Sequence, residues 1–368
     1  MYGAIIGDIV GSIYEVKEVN AIKNNPNKKR DYEERKKILD KSIPLFTEES
    51  SYTDDTVLTC AIAEAAINNK DYEKCLKEFG LRELELGKDK YGRSRFGSGF
   101  VKWLNNEQPG TSYGNGSAMR ISSIGVLFDD IETIKKEVYK ATIPSHNNPE
   151  AIKGAEAVAI TIYLIRNGKS KEEIKEYIEN NYYKLDYNLN DLQRNYRFSS
   201  KCSETVPQAI FIFLESNGFL DAIRKSISIG GDSDTIACIV GALSETYYGV
   251  PKNLKNEIYK YIPDYVKDII NEFYLKRIFL DYMNQEKLFT KEFKQYIKDK
   301  TTIHNIPIEE GWYSCLPIVK NEILTDIKLI VPRLKDKKTL LVNIHEYCHA
   351  MELYHELNKV YKNNIEEK

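Results

Sequence analysis

No run in this 368-residue chain approaches 18 consecutive apolar residues, so no transmembrane helix and no membrane partner are expected. An excess of charge of one sign is missing as well. Fifty-three basic residues nearly cancel 55 acidic ones, and a net charge of −2 argues against a whole-chain nucleic-acid footprint. The six cysteines, Cys60, Cys75, Cys202, Cys238, Cys315 and Cys348, are scattered without a C-x-x-C pair. They read as reduced thiols of a cytoplasmic protein. The N-terminus, MYGAIIGDIVGSIYE, has no basic n-region and no small-residue cleavage site behind a long apolar core, so no secretory signal is expected. What is present, 42% hydrophobic and 29% charged residues, is the balance of a folded globular protein, and the length suits two domains.

Strand signals are weak through the first 275 residues, where helical spacing dominates. Thr56 to Asn68, Ala151 to Arg166, Thr205 to Leu214 and Ser233 to Tyr248 each carry apolar residues at that spacing, and Ser233 and Asp234 suit a helix start. Small residues on these segments, such as Ala61, Ala155 and Ala237, allow close helix approach. The expected fold is mainly α, with the chemistry in loops and at helix starts. Lys17 to Ser42 is dense in Lys, Glu, Asn and Arg and reads as a solvated helix or loop. A charged amphipathic helix is expected as a connector over 278–300. Beyond it, Glu322 to Arg333 and Lys338 to Ile344 read as two β-strands followed by a polar helix. The organisation expected is an all-α domain over 1–277, the connector, and a small α+β domain over 301–368.

Three acidic signatures occupy the first part: Gly7-Asp8-Ile9-Val10-Gly11-Ser12-Ile13-Tyr14-Glu15, Thr53-Asp54-Asp55-Thr56 and Gly230-Gly231-Asp232-Ser233-Asp234-Thr235. Neighbouring carboxylates repel, so pairing them is costly unless a positive charge offsets it. The second and third clusters both open helices and both pair aspartates with threonines. Together they offer only hard oxygen ligands, which suit Mg²⁺, Mn²⁺ or Ca²⁺ rather than zinc. One such cluster alone is commonly a helix cap. Ser112-Tyr113-Gly114-Asn115-Gly116-Ser117 reads either as a loop presenting N–H groups to a phosphate or as an Asn-Gly turn. His146, in Ser145-His146-Asn147-Asn148-Pro149, precedes a helix start marked by the proline.

In order, GDIVGSIYE (7–15), YTDDTVLTCAIAEA (52–65), YGNGSAMRISSIG (113–125), SHNNPEAIKGAEAVA (145–159), CSETVPQAIFIFLES (202–216) and ISIGGDSDTIACIVGALSETYYGVP (227–251) resemble the ADP-ribosylglycohydrolase family. The pieces span most of residues 1–275, and T-D-D-T with a distant G-G-D-x-D-T is the specific combination. The resemblance implies an orthogonal all-α bundle with two Mg²⁺ (or Mn²⁺) ions at the foot of a cleft. It also implies removal of ADP-ribose from a modified target. It assigns Thr53, Asp54 and Asp55 to the metals from one side and Asp232, Asp234 and Thr235 from the other, with Asp234 bridging. Glu15 matches a glutamate given gating or acid/base roles, so Glu15, Asp54 and Asp234 are the expected catalytic residues. Gly114, Asn115, Gly116 and Ser117 match the diphosphate-binding segment, and His146 matches a residue near the ligand.

Cleavage at the ribose C1″ passes through an oxocarbenium-like state, which metal-held hydroxyls and a carboxylate managing protons can serve. One departure from the family is a charged insertion between Ile22 and Ile43, near the expected cleft rim, where it bears on substrate choice. The expected substrate is an ADP-ribosylated protein or small molecule, and the motifs leave arginine, serine and nucleic-acid linkages open. A non-catalytic ADP-ribose-binding module is the alternative outside enzymes.

The tail holds His345-Glu346-Tyr347-Cys348-His349, and three of the five histidines (with His355) lie within eleven residues. On a helix, His345 and His349 share a face one turn apart, the geometry of two zinc ligands, with Glu346 as the base activating a zinc-bound water. With a strand ahead of it, the segment looks like a minimal zincin metallopeptidase domain. Its third ligand is unsettled. His355 has the metzincin spacing, but Glu352 stands where that arrangement needs a glycine, so Glu366 or Glu367 from a following segment is the other choice. A second activity, a zinc metallopeptidase, is therefore a further reading.

Overall fold

The computed structural model describes residues 1–24, 32–89 and 92–288. The chain divides into two compact units, Met1–Lys267 and Asp268–Lys368. The strands expected beyond 300 and His345, Glu346, His349, His355 and Glu366 all lie outside the described residues, as does the connector after Leu288.

Helix α1 (Tyr2–Asn24) is buried along its first half. Gly3, Gly7 and Gly11 recur every four residues and so form one stripe along it. Short α2 (Tyr32–Lys37) follows, then α3 (Asp54–Asn68) and α4 (Tyr72–Leu86). Next come α5 (Ser98–Leu104), α6 (Gly116–Met119), α7 (Ser122–Leu127), α8 (Ile131–His146) and α9 (Pro149–Arg166). The series continues with α10 (Lys171–Asn181), α11 (Leu189–Asn195), α12 (Val206–Leu214) and α13 (Phe219–Ser228). It closes with α14 (Ser233–Tyr248), α15 (Lys252–Ile258) and α16 (Asp264–Leu288). No strand occurs among the described residues, only isolated bridges at Thr111–His146 and Gly114–Lys201. None of the described helices is long and apolar enough to cross a membrane.

The centre of the first unit is α1 against α14. A Cβ on Gly3 would overlap the Gly241 carbonyl, one on Gly7 the Ala237 carbonyl, and one on Gly11 the Asp234 Cα. The two backbones are therefore in direct contact, which only a glycine stripe permits. Helix α3 starts at Thr53, whose hydroxyl accepts from the Asp55 N–H, and ends at Asn69 with φ 50°. Asn148 caps α9 by accepting from Glu150 N, with Pro149 at its first position. The four expected helices are present, shifted by no more than two residues at their starts.

Two expectations need correction. The GDIVGSIYE motif is neither a loop nor a helix start: Asp8 and Glu15 project from the interior of α1. The stretch from Lys17 to Ser42 is not merely solvated. Arg35 on α2 is fully buried and pairs with buried Glu18 at 2.9 Å. Its other guanidinium nitrogen donates to the Gln193 and Tyr196 carbonyls, both at 3.1 Å. A buried arginine is tolerated because a carboxylate and two carbonyls accept its protons.

Candidate active site

Six carboxylates converge where α1, α3 and α14 meet. Asp8 and Glu15 come from α1, two helical turns apart on one face. Asp54 and Asp55 open α3, while Asp232 and Asp234 flank the start of α14. The turn into α14 needs left-handed backbone at Gly230 and Gly231 (φ 75° and 73°), and their lack of side chains leaves room for Arg35 and Tyr196.

Asp8 is fully buried and accepts from both threonines of the T-D-D-T motif. The Thr53 N–H and hydroxyl lie at 2.9 and 2.7 Å, the Thr56 N–H lies at 3.0 Å, and the Thr56 hydroxyl completes the set. Asp8 thereby ties α1 to the start of α3. The Thr235 hydroxyl donates to Asp55 at 3.3 Å, joining α14 to α3. Carboxylate oxygens of Asp8, Asp55 and Asp234 lie within 4.8 Å of one another, and so do those of Glu15, Asp232 and Asp234. Asp234 belongs to both groups.

None of the five aspartates forms an ion pair with a Lys or Arg among the described residues. Burial, with repulsion from Asp8, Glu15 and Asp232, raises Asp54 well above its ordinary range. Burial and the neighbouring carboxylates do the same to Asp55 and Asp234. Burial also raises Asp8 against the pull of its four hydrogen bonds. Glu15 is pushed up to about 7, by burial first and Asp232 second. The buried Oδ1 of Asp55 has no hydrogen-bond partner. Crowded carboxylates without a basic partner, made only of hard oxygen donors, fit divalent cations.

Five of the six carboxylates, all but Asp8, lie at a cleft of about 470 Å³. Glu15, Thr53, Asp54, Asp55, Asp232, Asp234 and Thr235 line it, together with Gly114, Asn115, Gly116 and His146. Aromatic side chains complete the lining: Phe96, Phe100, Trp103 and Phe198 line it too, with the Phe96 and Phe100 rings stacked at 5.1 Å. Glu15 and Thr53 also line a second cavity of about 640 Å³, bounded by Ser12, Asn20, Glu49 and Arg93.

The glycine-rich loop is more committed internally than its sequence suggests. The Gly114 N–H goes to the Ser112 hydroxyl and the Asn115 N–H to the Ser200 carbonyl. The Asn115 side chain donates to Asp232 at 2.8 Å and to Thr205 at 3.1 Å, so it braces the aspartate cluster. Ser117 is fully buried and donates to the Ala151 carbonyl at 2.9 Å, and it does not line the cleft. His146, at the end of α8, does line it.

Sequence reasoning left out Asp8 and the aromatic lining. Asp8 was visible in principle, since it lies seven residues before Glu15 and a helix brings that pair onto one face. The lining had no comparable signal, because Phe198 joins residues 96–103 only through the fold.

The sequence matches the ADP-ribosylglycohydrolase family over residues 1–283. It is 24% identical over 312 residues to mouse (Mus musculus) ADP-ribosylhydrolase ARH3, covering 67% of this chain and 82% of that protein. It is 26% identical over 157 residues to the ADP-ribosylarginine hydrolase Tri1 of Pseudomonas putida (strain GB-1), covering 41% of this chain and 42% of Tri1. Among solved structures, an ADP-ribosylglycohydrolase-related protein complex matches with a TM-score of 0.50 at 17% identity, covering 73% of this chain and 93% of that one, a likeness of fold. With the family matched over most of its length and the carboxylate-floored cleft inside the matched region, this chain belongs to the ADP-ribosylglycohydrolase family of glycosidic-bond hydrolases that remove ADP-ribose.

Proposed function

We propose that the chain is a Mg²⁺-dependent hydrolase that releases ADP-ribose from a modified protein or small molecule by breaking the bond at ribose C1″. The observation that carries this reading is the pair of carboxylate groups sharing Asp234 at the foot of the cleft. Asp55, Asp232 and Asp234, with Thr53, Asp54 and Thr235, would hold two cations, and Asp8 holds the T-D-D-T backbone in place for them. Bound cations would supply Lewis-acid polarisation of ribose hydroxyls and of a water.

Glu15 is the proton-handling group. It lies at the junction of the main cleft and the second cavity, where a leaving group and solvent can both reach it. The helix-start amide of Gly116 is the loop N–H that meets the diphosphate, since the Gly114 and Asn115 amides are taken by the loop itself. The aromatic lining, Phe96 and its stacked neighbour Phe100 first, receives the adenine ring.

Release of free ADP-ribose tests this from ADP-ribosyl-arginine and ADP-ribosyl-serine peptides and an ADP-ribosylated nucleic acid, each with Mg²⁺ and with chelator. Mg²⁺-dependent release that Asp54→Ala abolishes is the expected result. Tri1 makes the arginine linkage the first to try. ADP-ribose binding without release from any substrate would leave a binding module instead. For the tail, the proposal is one zinc held by His345, His349 and Glu366 with Glu346 as peptidase base, supported by the H-E-x-x-H spacing. Zinc content of the full chain against His345→Ala tests it.

A further inference from the structure

Behind the glycine loop a buried arginine leads to the cleft through a hydroxyl. Arg120 is fully buried, and its Nη2 donates to the Ala141 carbonyl at 3.0 Å and to the Ser145 Oγ at 2.9 Å. The Ser145 Oγ lies 2.8 Å from His146 Nδ1. Ser145 is itself 4% exposed, and its hydroxyl has no other hydrogen-bond partner among the described residues. Arg120 Nε and Nη1 have none at all.

One arrangement of protons satisfies every described contact of this group. A guanidinium only donates. Ser145 Oγ must therefore accept from Arg120, and the contact to His146 Nδ1 is the one described contact that can take its proton, which it does when Ser145 donates along it. An Nδ1 that accepts cannot carry a proton, so the ring proton of a neutral imidazole sits on Nε2. An imidazolium or an Nδ1–H tautomer would leave the Ser145 proton without an acceptor among the described residues. An imidazolium would also add a second charge beside Arg120 in a buried site, and burial with Arg120 does hold His146 well below its ordinary range.

Nε2 makes no hydrogen bond to any described residue and is at the cleft surface. A Cβ on Gly116 would come to 3.1 Å from it, so the glycine leaves this nitrogen uncovered.

We propose that Arg120 and Ser145 are positioning residues that hold His146 in its Nε2–H tautomer, so that the ring presents a fixed neutral donor to a diphosphate oxygen beside Gly114–Gly116. The ligand in this statement rests on the function proposed above, whereas the tautomer does not. A neutral donor of fixed direction costs no reorganisation when the anion arrives, and it leaves the cation-binding carboxylates as the charged part of the site.

The test uses the ¹⁵N-labelled full chain with Mg²⁺ present. Long-range ¹H–¹⁵N spectra report the tautomer of each histidine, and the His146→Gln variant assigns the signal among the five. A pyridine-like Nδ1 and a pyrrole-like Nε2 are expected in the wild type. Ser145→Ala should shift the ring toward a tautomer mixture and weaken ADP-ribose binding, by calorimetry, on the order of tenfold, the loss of one hydrogen bond to a charged group. Ser145→Thr, which keeps the hydroxyl, should restore both. A protonated Nδ1 in the wild type overturns the relay, as does a Ser145→Ala protein with unchanged tautomer and affinity. A wild type that fails to bind ADP-ribose defeats the function reading instead, and the spectra then still decide the tautomer.

Discussion

Asp8 and Asp55 belong to the same carboxylate group but differ in what surrounds them. Asp8 accepts four hydrogen bonds from Thr53 and Thr56, whereas the Asp55 Oδ1 accepts none. Neutralising them should therefore have opposite effects on the metal-free protein. At a pH high enough to ionise Asp55, Asp55→Asn removes a buried charge from a crowd of like charges and should raise the melting temperature in chelator by about 2–4 °C, or roughly 1 kcal/mol. Asp8→Asn replaces an all-acceptor group with one that offers a single oxygen, and should lower stability by about 1–3 kcal/mol. Both should lower ADP-ribose release by a factor on the order of 10³, a few kcal/mol of lost transition-state stabilisation. Calorimetry in chelator and an initial-rate assay in Mg²⁺ separate the two. The sequence made Asp55 legible because a D-D pair between threonines is conspicuous. Asp8 sits among apolar residues, so only its seven-residue spacing from Glu15 marks it in the sequence, and its hydrogen bonds are what tie it to the cluster.

At the scale of elements, the site depends on how closely α1 approaches α14. Gly11→Ala would drive a methyl group into the Asp234 Cα and the Ser233 carbonyl, and Gly3→Ala would meet the Gly241 carbonyl at the far end of the same stripe. Each should cost about 1–3 kcal/mol by overpacking. Only Gly11→Ala moves the backbone that carries Asp234, so it alone should raise the Mg²⁺ concentration needed for half-maximal release. Equal shifts in the two variants would sever the link between this contact and the cluster. Helix α2 makes a second connection. Arg35 joins Glu18 of α1 to the carbonyls of Gln193 and Tyr196, and its guanidinium fills the space above Gly230. Arg35→Met leaves Glu18 buried without that partner and should cost about 3–5 kcal/mol, read from the urea midpoint, with partial recovery in the Arg35→Met/Glu18→Gln double variant. The four main helices were legible because apolar spacing and caps act locally. The burial of Arg35 was not, because a charge-dense stretch looks solvated until the fold brings acceptors to it from α11.

For the molecule as a whole, the carboxylate cluster couples folding to pH and to cations. Unfolded Asp and Glu side chains lose their protons near pH 4. In the folded, metal-free chain Asp54, Asp55 and Asp234 hold theirs well above that, and Glu15 holds its proton up to about 7, all chiefly through burial. The folded state thus binds more protons than the unfolded state across this window, so stability falls as pH rises. The contribution of Glu15 is complete below pH 4.5 and is lost as the pH passes about 7. A cation that binds only the deprotonated carboxylates of the folded state acts in the opposite direction and gains strength as they ionise. In chelator the melting temperature should fall between about pH 5 and pH 7.5, and saturating Mg²⁺ should recover most of that loss at the upper end and little at the lower. Scanning calorimetry at a series of pH values, with and without Mg²⁺, measures both. A Mg²⁺ effect of the same size at every pH would place the ion away from these carboxylates, because binding at any other surface has no reason to follow their ionisation.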